Sequence, residues 1–435
     1  MKIIRYPEKN HWIEILARPV IDFESLTNAV GSILKNVKEK GDKAILEYTA
    51  KFDKVKLVEI AVSGEELAAA KSEVSEELKK ALKVAFDNIS LFHKAQMHEE
   101  VSCQTAPGIR CWQKSLPIEK VGLYIPGGTA PLVSTVLMLA IPAKIAGCKE
   151  IVLCSPPEKD GKIHSSILYA ADLLGITKVY KIGGAQAIAA MAYGTETVPK
   201  VYKIFGPGNQ YVQAAKLKVS LENTSIDMPA GPSEVAIMAD DSAIPAFVAS
   251  DLLSQAEHGV DSQVILISTS EKLVNQVKKE VAEQLKNLPR KAIAAKALEN
   301  SKIILVKDDE TMLEMINEYA PEHLIIATKN YHDLVNKIIN AGSVFLGNFS
   351  PVCAGDYASG TNHTLPTNGN AKAFSGVNVD SFTKKITFQE LTTYGLFNIG
   401  PAIEILADAE ELYAHRMAVQ IRMNTVSNNY SSGKN

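Results

Sequence analysis

Four times between Val121 and about Asn209, a short apolar run gives way to a turn and then to a helix-forming stretch. Val121-Gly-Leu-Tyr-Ile-Pro-Gly-Gly128 leads into a helix expected over about Leu132–Gly147, and Ile151–Ser155 into one running through Ala170 to Gly175. Lys178-Val-Tyr-Lys-Ile-Gly-Gly184 leads into Ala185–Tyr193, and Lys200-Val-Tyr-Lys-Ile-Phe-Gly-Pro-Gly208 into a helix starting near Asn209. Strands alternating with helices build βαβ units and a parallel sheet, whose loops at the carboxyl edge bind ligands. A second block of the same kind follows. Its candidate strands are Val264–Ser268, Ile303–Val306, Leu324–Thr328 and Val344–Gly347, with helices around Lys272–Leu285, Thr311–Tyr319 and Tyr331–Asn340 between them. The expected class is α/β: two Rossmann-like domains with parallel sheets, plus a helical N-terminal region and a small C-terminal segment.

The expected boundaries follow the texture of the chain. Residues 1–20 form a loose arm without a clear period. Residues 21–119 are a helical region, with a capping-box start at Ser63-Gly-Glu-Glu66, expected to pack with a second Rossmann-like domain at 234–370. The first Rossmann-like domain spans 120–233, and a C-terminal segment spans 371–435, with a short helix near Leu412–Arg422 and a polar, disordered tail.

Charge and cysteine usage exclude several classes. With 46 basic and 49 acidic residues the net charge is −3, which gives no field for a nucleic-acid backbone or an anionic membrane. The five cysteines show no C-x-x-C spacing and are odd in number, so neither a disulfide framework nor a thiolate zinc site is expected, and a reducing cytoplasm fits. The most apolar run, Val133 to Ile145, contains Pro142 and Lys144 and is too short to span a bilayer.

Several stretches could carry chemistry. In Asp251-Leu-Leu-Ser-Gln-Ala-Glu-His-Gly259, a helix opened by Pro245 after an Asp240-Asp241-Ser242 cap buries Ala249, Leu252, Leu253 and Ala256. Gln255 and His258 then lie together on the last turn, as a solvated face or as the seed of a metal or polar-ligand site. The turns Pro126-Gly-Gly128, Gly183-Gly-Ala-Gln186 and Gly206-Pro-Gly-Asn209 let backbone amides approach an anion at a helix start. None is a full G-x-G-x-x-G, yet three on one sheet edge, bearing Tyr124, Gln186 and Asn209, point to a nucleotide held in an atypical grip. Tyr319-Ala-Pro-Glu-His-Leu324 sets Glu322 beside His323, an acid–base pair or a surface turn. The long loop Ser350–Thr367 follows a strand, so it is expected on the carboxyl edge of the second sheet, with Asp356 and His363 as possible ligands. Gln255, His258, Asp356 and His415 would make a ligand set of oxygen and nitrogen that suits zinc ahead of manganese or cobalt, although spacing alone does not establish it. On these residues a zinc hydrolase and a non-catalytic binding protein stay open.

The segments Gly122-Leu-Tyr-Ile-Pro-Gly-Gly128, Phe205-Gly-Pro-Gly-Asn209, Asp227-Met-Pro-Ala-Gly-Pro-Ser-Glu234, Asp251-Leu-Leu-Ser-Gln-Ala-Glu-His258, Ala320-Pro-Glu-His-Leu324 and Ala354-Gly-Asp-Tyr-Ala-Ser-Gly-Thr-Asn-His363 closely resemble the histidinol dehydrogenase family, and the similarity runs over nearly the whole chain. The resemblance implies oxidation of L-histidinol to L-histidine through bound L-histidinal, with two NAD and a water. It implies zinc on Gln255, His258, Asp356 and His415, and Glu322 and His323 as the acid–base pair. Substrate contacts would be Ser233, Gln255, His258, His323, Asp356, Glu410 and His415, and NAD contacts Tyr124, Gln186 and Asn209. It also implies a homodimer with shared active sites, in which the C-terminal segment serves dimerisation and brings Glu410 and His415 to the partner's pocket.

Overall fold

The computed structural model describes residues 1–19, 23–127 and 131–431. Its strands are β1 (Lys2–Arg5), β2 (Val101–Ala106), β3 (Ile109–Pro117), β4 (Lys120–Tyr124), β5 (Glu150–Ser155), β6 (Lys178–Lys181), β7 (Lys203–Phe205), β8 (Ser225–Ile226), β9 (Glu234–Ala239), β10 (Gln263–Ser268), β11 (Lys302–Leu305), β12 (His323–Ala327), β13 (Ser343–Leu346) and β14 (Thr383–Leu391). They form a five-stranded sheet in the order β6-β5-β4-β7-β8, a six-stranded sheet in the order β1-β11-β10-β9-β12-β13, and a three-stranded sheet β14-β3-β2. Every pairing in the first two sheets is parallel. In each, the first strand of the block lies at the centre and the chain winds outward on both sides, which is the Rossmann arrangement with its switch point between β4 and β7 and between β9 and β12.

Burial explains the sequence texture. All six residues of β9 and all six of β10 are buried, so these strands read as continuous apolar runs without alternation. The helix Val133–Ala146 is buried from Ser134 to Ala143, passes through Pro142, and ends on Gly147 at φ +90°, a left-handed cap that favours glycine. Its apolar run is core packing between layers. No helix among the described residues is long and apolar enough to cross a membrane.

Three expectations need correction. The N-terminal arm is not loose: β1 extends the six-stranded sheet beside β11, and Trp12 is buried in that sheet's core. The N-terminal helices pack with the first block, not the second. Val30, Leu34, Ala44 and Ile45 share a core with Tyr124 and Val152, while Leu67, Leu82 and Ile89 share one with Val121 and Leu153. His93, in the helix Glu76–Lys94, is fully buried and donates from Nδ1 to the Ile89 carbonyl at 2.8 Å. The last helix is long, Tyr413–Ser431, and takes in most of the expected tail.

The chain divides into two compact units. The larger one, Met1–Gln96 with Ile118–Phe382, holds both parallel sheets. The smaller, Met97–Pro117 with Thr383–Asn435, holds the antiparallel sheet and the helices Thr393–Ala409 and Tyr413–Ser431. Residues 97–117 therefore belong with the C-terminal segment, and 371–382 do not. Within the smaller unit the two helices pack where Gly400 admits Met423, and Trp112 stacks on Phe388. Tyr394, Phe397, Ile405, Leu406, Tyr413 and Ile421 are exposed on it.

Candidate active site

The link between the two parallel sheets decides where a site can form. It runs from Ile226 at the end of β8 to Glu234 at the start of β9. Eight residue steps span at most about 28 Å, so the carboxyl edge of the first sheet must lie near the amino edge of the second. A cleft of about 390 Å³ occupies that junction. The first sheet lines it with Tyr124, Pro126, Gly206, Pro207, Gly208 and Asn209, and the second with Ser233, Gln255, His258, Glu322, His323 and Asp356.

The second-sheet wall is assembled from strand beginnings and a helix end. His323 opens β12 and pairs in register with Val235. Gln255 lies in the last turn of the helix Pro245–Ala256, which leaves the carboxyl end of β9 and returns to the amino edge. That helix has Pro245 at its first position as expected, but Ile244 is the cap residue, and Asp240 instead binds the Ser242 and Lys329 amides at 2.9 Å each. Asp356 belongs to the short helix Val352–Tyr357 and reaches back to His323. The Ser350–Thr367 loop thus brings Asp356 to the amino edge of the second sheet, opposite to expectation.

Glu322 and His323 are both buried, at 7% and 3% exposure, so they are not a surface turn. Glu322 Oε2 accepts from the Glu234 amide at 2.8 Å and from Gln255 Nε2 at 3.4 Å. His323 Nδ1 donates to the Glu234 carbonyl at 3.1 Å, which fixes the tautomer and leaves the lone pair of the neutral ring on Nε2. That Nε2 is buried, lies 3.4 Å from Asp356 Oδ1, and has no hydrogen-bond partner among the described residues. Burial works against the imidazolium, but the carboxylates of Glu322 and Asp356 outweigh it and raise His323 to about 10. Burial likewise opposes the Asp356 carboxylate, yet His323 beside it holds Asp356 below the ordinary range. His363 donates from Nδ1 to the Asp356 carbonyl at 2.8 Å and accepts from Thr135 Oγ1 at 3.1 Å, and burial lowers its pKa.

The first-sheet wall is a glycine cradle. Gly206 has φ +132°, and a Cβ there would collide with the Tyr124 carbonyl, so only glycine fits. Asn209 caps the helix Gln210–Ser220 by accepting from the Tyr211 and Val212 amides at 3.1 and 3.2 Å. Tyr124 accepts the Gly184 amide on its hydroxyl at 3.0 Å, and burial pushes it up to about 12. Gln186 is buried, does not line the cleft, and leaves Nε2 without a partner among the described residues. Gly128, expected in the first glycine turn, lies outside the described residues.

Two other predicted residues do not line the cleft. Glu410 ends the helix Thr393–Ala409 and His415 lies in the helix Tyr413–Ser431; both are exposed and both belong to the smaller unit. Among the described residues no three His, Cys, Asp or Glu side chains cluster so as to hold a metal ion. What the cleft offers is one amide, one imidazole and one carboxylate on Gln255, His258 and Asp356, a donor chemistry that fits zinc.

Residue-by-residue reading missed three supports. Lys216 and Asp227, each 1% exposed, form an ion pair at 2.5 Å behind Gly206. Lys216 Nζ donates to the Gly206 carbonyl at 2.9 Å and Asp227 Oδ2 accepts the Gly206 amide at 2.8 Å. A charged residue in an otherwise buried helix is a weak signal for such a role. Glu234, whose backbone holds Glu322 and His323, was visible only as the last residue of a motif.

The comparisons agree with one another. The family model described as histidinol dehydrogenase matches residues 16–423. A histidinol dehydrogenase of Bacteroides thetaiotaomicron is 62% identical over 98% of this chain and 100% of its own length. One from Escherichia coli K12 is 54% identical over 95% of each chain. The crystal structure of histidinol dehydrogenase from Elizabethkingia anophelis superposes with a TM-score of 0.96 at 53% identity, covering 98% of this chain and 99% of that one. A match of this extent in sequence and fold means that the chain belongs to the histidinol dehydrogenase family, oxidoreductases of histidine biosynthesis.

Proposed function

We propose that the cleft oxidises L-histidinol to L-histidine in two NAD-dependent steps, through an aldehyde that stays bound. The observation that carries this reading is the buried Glu322–His323 pair on one wall of a cleft whose other wall is the Gly206–Asn209 cradle. When bound, NAD would accept a hydride in each step, and zinc would orient the substrate's imidazole and amine.

His323 is the base. Its Nδ1 is engaged with the Glu234 carbonyl, so Nε2 is the nitrogen that takes the proton of the alcohol as hydride leaves carbon. Glu322 and Asp356 together hold the pKa of His323 high, and a cation that took up the Asp356 carboxylate would weaken that hold. Glu322 removes a proton from the water that adds to the aldehyde, and His323 serves again when the hydrate loses its hydride. Holding the aldehyde in the cleft through both steps avoids releasing a reactive intermediate.

Gln255, His258 and Asp356 hold the metal, with His415 as the fourth ligand. Ser233, Gln255, His258, His323, Asp356, Glu410 and His415 contact the substrate. Tyr124, Gln186 and Asn209 contact NAD; Tyr124 and Asn209 line the cleft, whereas Gln186 is buried behind it. His415 and Glu410 come from a second copy of the chain, joined through the exposed apolar residues of the smaller unit.

The test is the yield of NADH per histidinol consumed, with and without a chelator. Two per substrate, abolished by metal removal, is expected; one per substrate, or none, would overturn the reading. Mixing His415→Ala with His258→Ala should restore one site per heterodimer, and no rescue would count against shared sites.

A further inference from the structure

The backbone of Glu234 holds both members of the acid–base pair, since its amide donates to Glu322 and its carbonyl accepts from His323. Whatever fixes Glu234 fixes them. Its side chain is 2% exposed and is gripped by a guanidinium from far away in sequence. Arg18 Nε donates to Glu234 Oε1 at 2.5 Å and an Arg18 terminal nitrogen to Oε2 at 2.9 Å, while the Asn368 amide donates to Oε1 at 2.8 Å. The same terminal nitrogen of Arg18 donates to the Tyr319 carbonyl at 2.7 Å, and its guanidinium lies 4.0 Å over the Tyr319 ring.

Tyr319 and Ala320 lead directly into Pro321-Glu322-His323. Ala320 sits at φ +51°, the left-handed region that a residue with a Cβ rarely adopts, so this turn is held by its surroundings. One planar group therefore ties the start of β9 to the turn before β12, the two backbone segments on which Glu322 and His323 depend. We infer that Arg18 is a positioning residue for the reaction, setting the relation of Glu322 to His323 without touching substrate. The inference rests on the reading of those two residues as the acid–base pair. A lysine cannot replace the fork, because an ammonium meets the carboxylate and the carbonyl as a single point charge.

Arg18 also lines a groove of about 550 Å³ with Trp12, Leu16, Gly231 and Lys372, so a small cation can reach its place. The experiment compares Arg18→Ala, Arg18→Lys and His323→Ala as full-length enzymes, measuring kcat, KM and bound metal, with and without millimolar guanidinium chloride. In Arg18→Ala, kcat should fall by about 10²-fold, the cost of a misplacement near 1 Å, with KM and metal content little changed. Arg18→Lys should recover only part of the loss. Guanidinium should raise kcat in Arg18→Ala several-fold and leave the wild type and His323→Ala unchanged. Should Arg18→Ala not fold, the kcat loss in Arg18→Lys and its lack of effect on KM decide. Unchanged kcat in the Arg18 variants beside an inactive His323→Ala would sink this inference alone. Losses spread equally over KM and metal content, without guanidinium rescue, would make Arg18 merely structural and overturn it as well. Full turnover in His323→Ala would instead take down the acid–base reading and this inference with it.

Discussion

The two parallel sheets share one winding order and differ in the edge they present. The five-stranded sheet offers the cleft its carboxyl edge, where the glycine turns after β4 and β7 sit at the switch point. The six-stranded sheet offers its amino edge: the first residue of β12, the turn before it, and the end of a helix that has come back from the far side. The cleft thus lies beyond the carboxyl ends of the strands in one block and at their amino ends in the other. The short link from Ile226 to Glu234 keeps those two edges near each other. The first edge supplies backbone amides and small residues suited to a cofactor. The second supplies buried acids and imidazoles suited to proton transfer.

If labour is divided in that way, substitutions on the second edge should act on turnover. His323→Ala should lower kcat by about 10²–10⁴-fold with metal retained, and steady-state rates beside metal analysis check it. Unimpaired turnover would remove the second edge from the chemistry. Glu322→Gln should cost about 10²-fold in the oxidation of supplied aldehyde and less in its formation. Normal aldehyde oxidation in that variant would reassign the water step.

Substitutions on the first edge should act through the cradle. Lys216→Met leaves Asp227 as a buried, uncompensated charge behind Gly206 and should destabilise the fold by about 3–5 kcal/mol in denaturant unfolding, while raising KM for NAD. An unchanged KM for NAD in the folded variant would separate the ion pair from the cofactor.

The smallest effect is expected at Asp251, on the helix that carries Gln255. Burial raises its carboxyl to about 7, although the Val352 amide opposes this. The folded state then keeps a proton that the unfolded chain releases near pH 4, so stability should decline between about pH 4 and pH 7 and level off above, by a few kcal/mol at most. Asp251→Asn should flatten that decline and raise the melting temperature at pH 8 by a few degrees. Identical pH profiles for both proteins would show that the burial of Asp251 does not matter to stability.

The α/β class and most strands were legible because apolar runs bounded by glycine turns leave a local trace. β9 escaped notice although it is the centre of its sheet: a strand buried on both faces has no alternation, and its six residues sit beside a motif that draws the eye. The hairpin β2–β3 was hidden inside a stretch read as helical, since its strand residues are mostly exposed and polar and find their partner β14 some 270 residues later. Among the site residues, the Gln255 and His258 neighbourhood and the adjacent Glu322 and His323 follow from helical spacing and from contiguity, which the sequence alone contains.

What the amino-acid order determined by itself is therefore the winding of each block and the short-range groupings of chemical side chains. Tertiary structure alone decided which edges meet, that the N-terminal helices cover the first block, and that Arg18 reaches across the chain to Glu234. Periodicity and turn chemistry act over a few residues, whereas these outcomes depend on the length of a link and on the burial of charges whose partners lie hundreds of residues away.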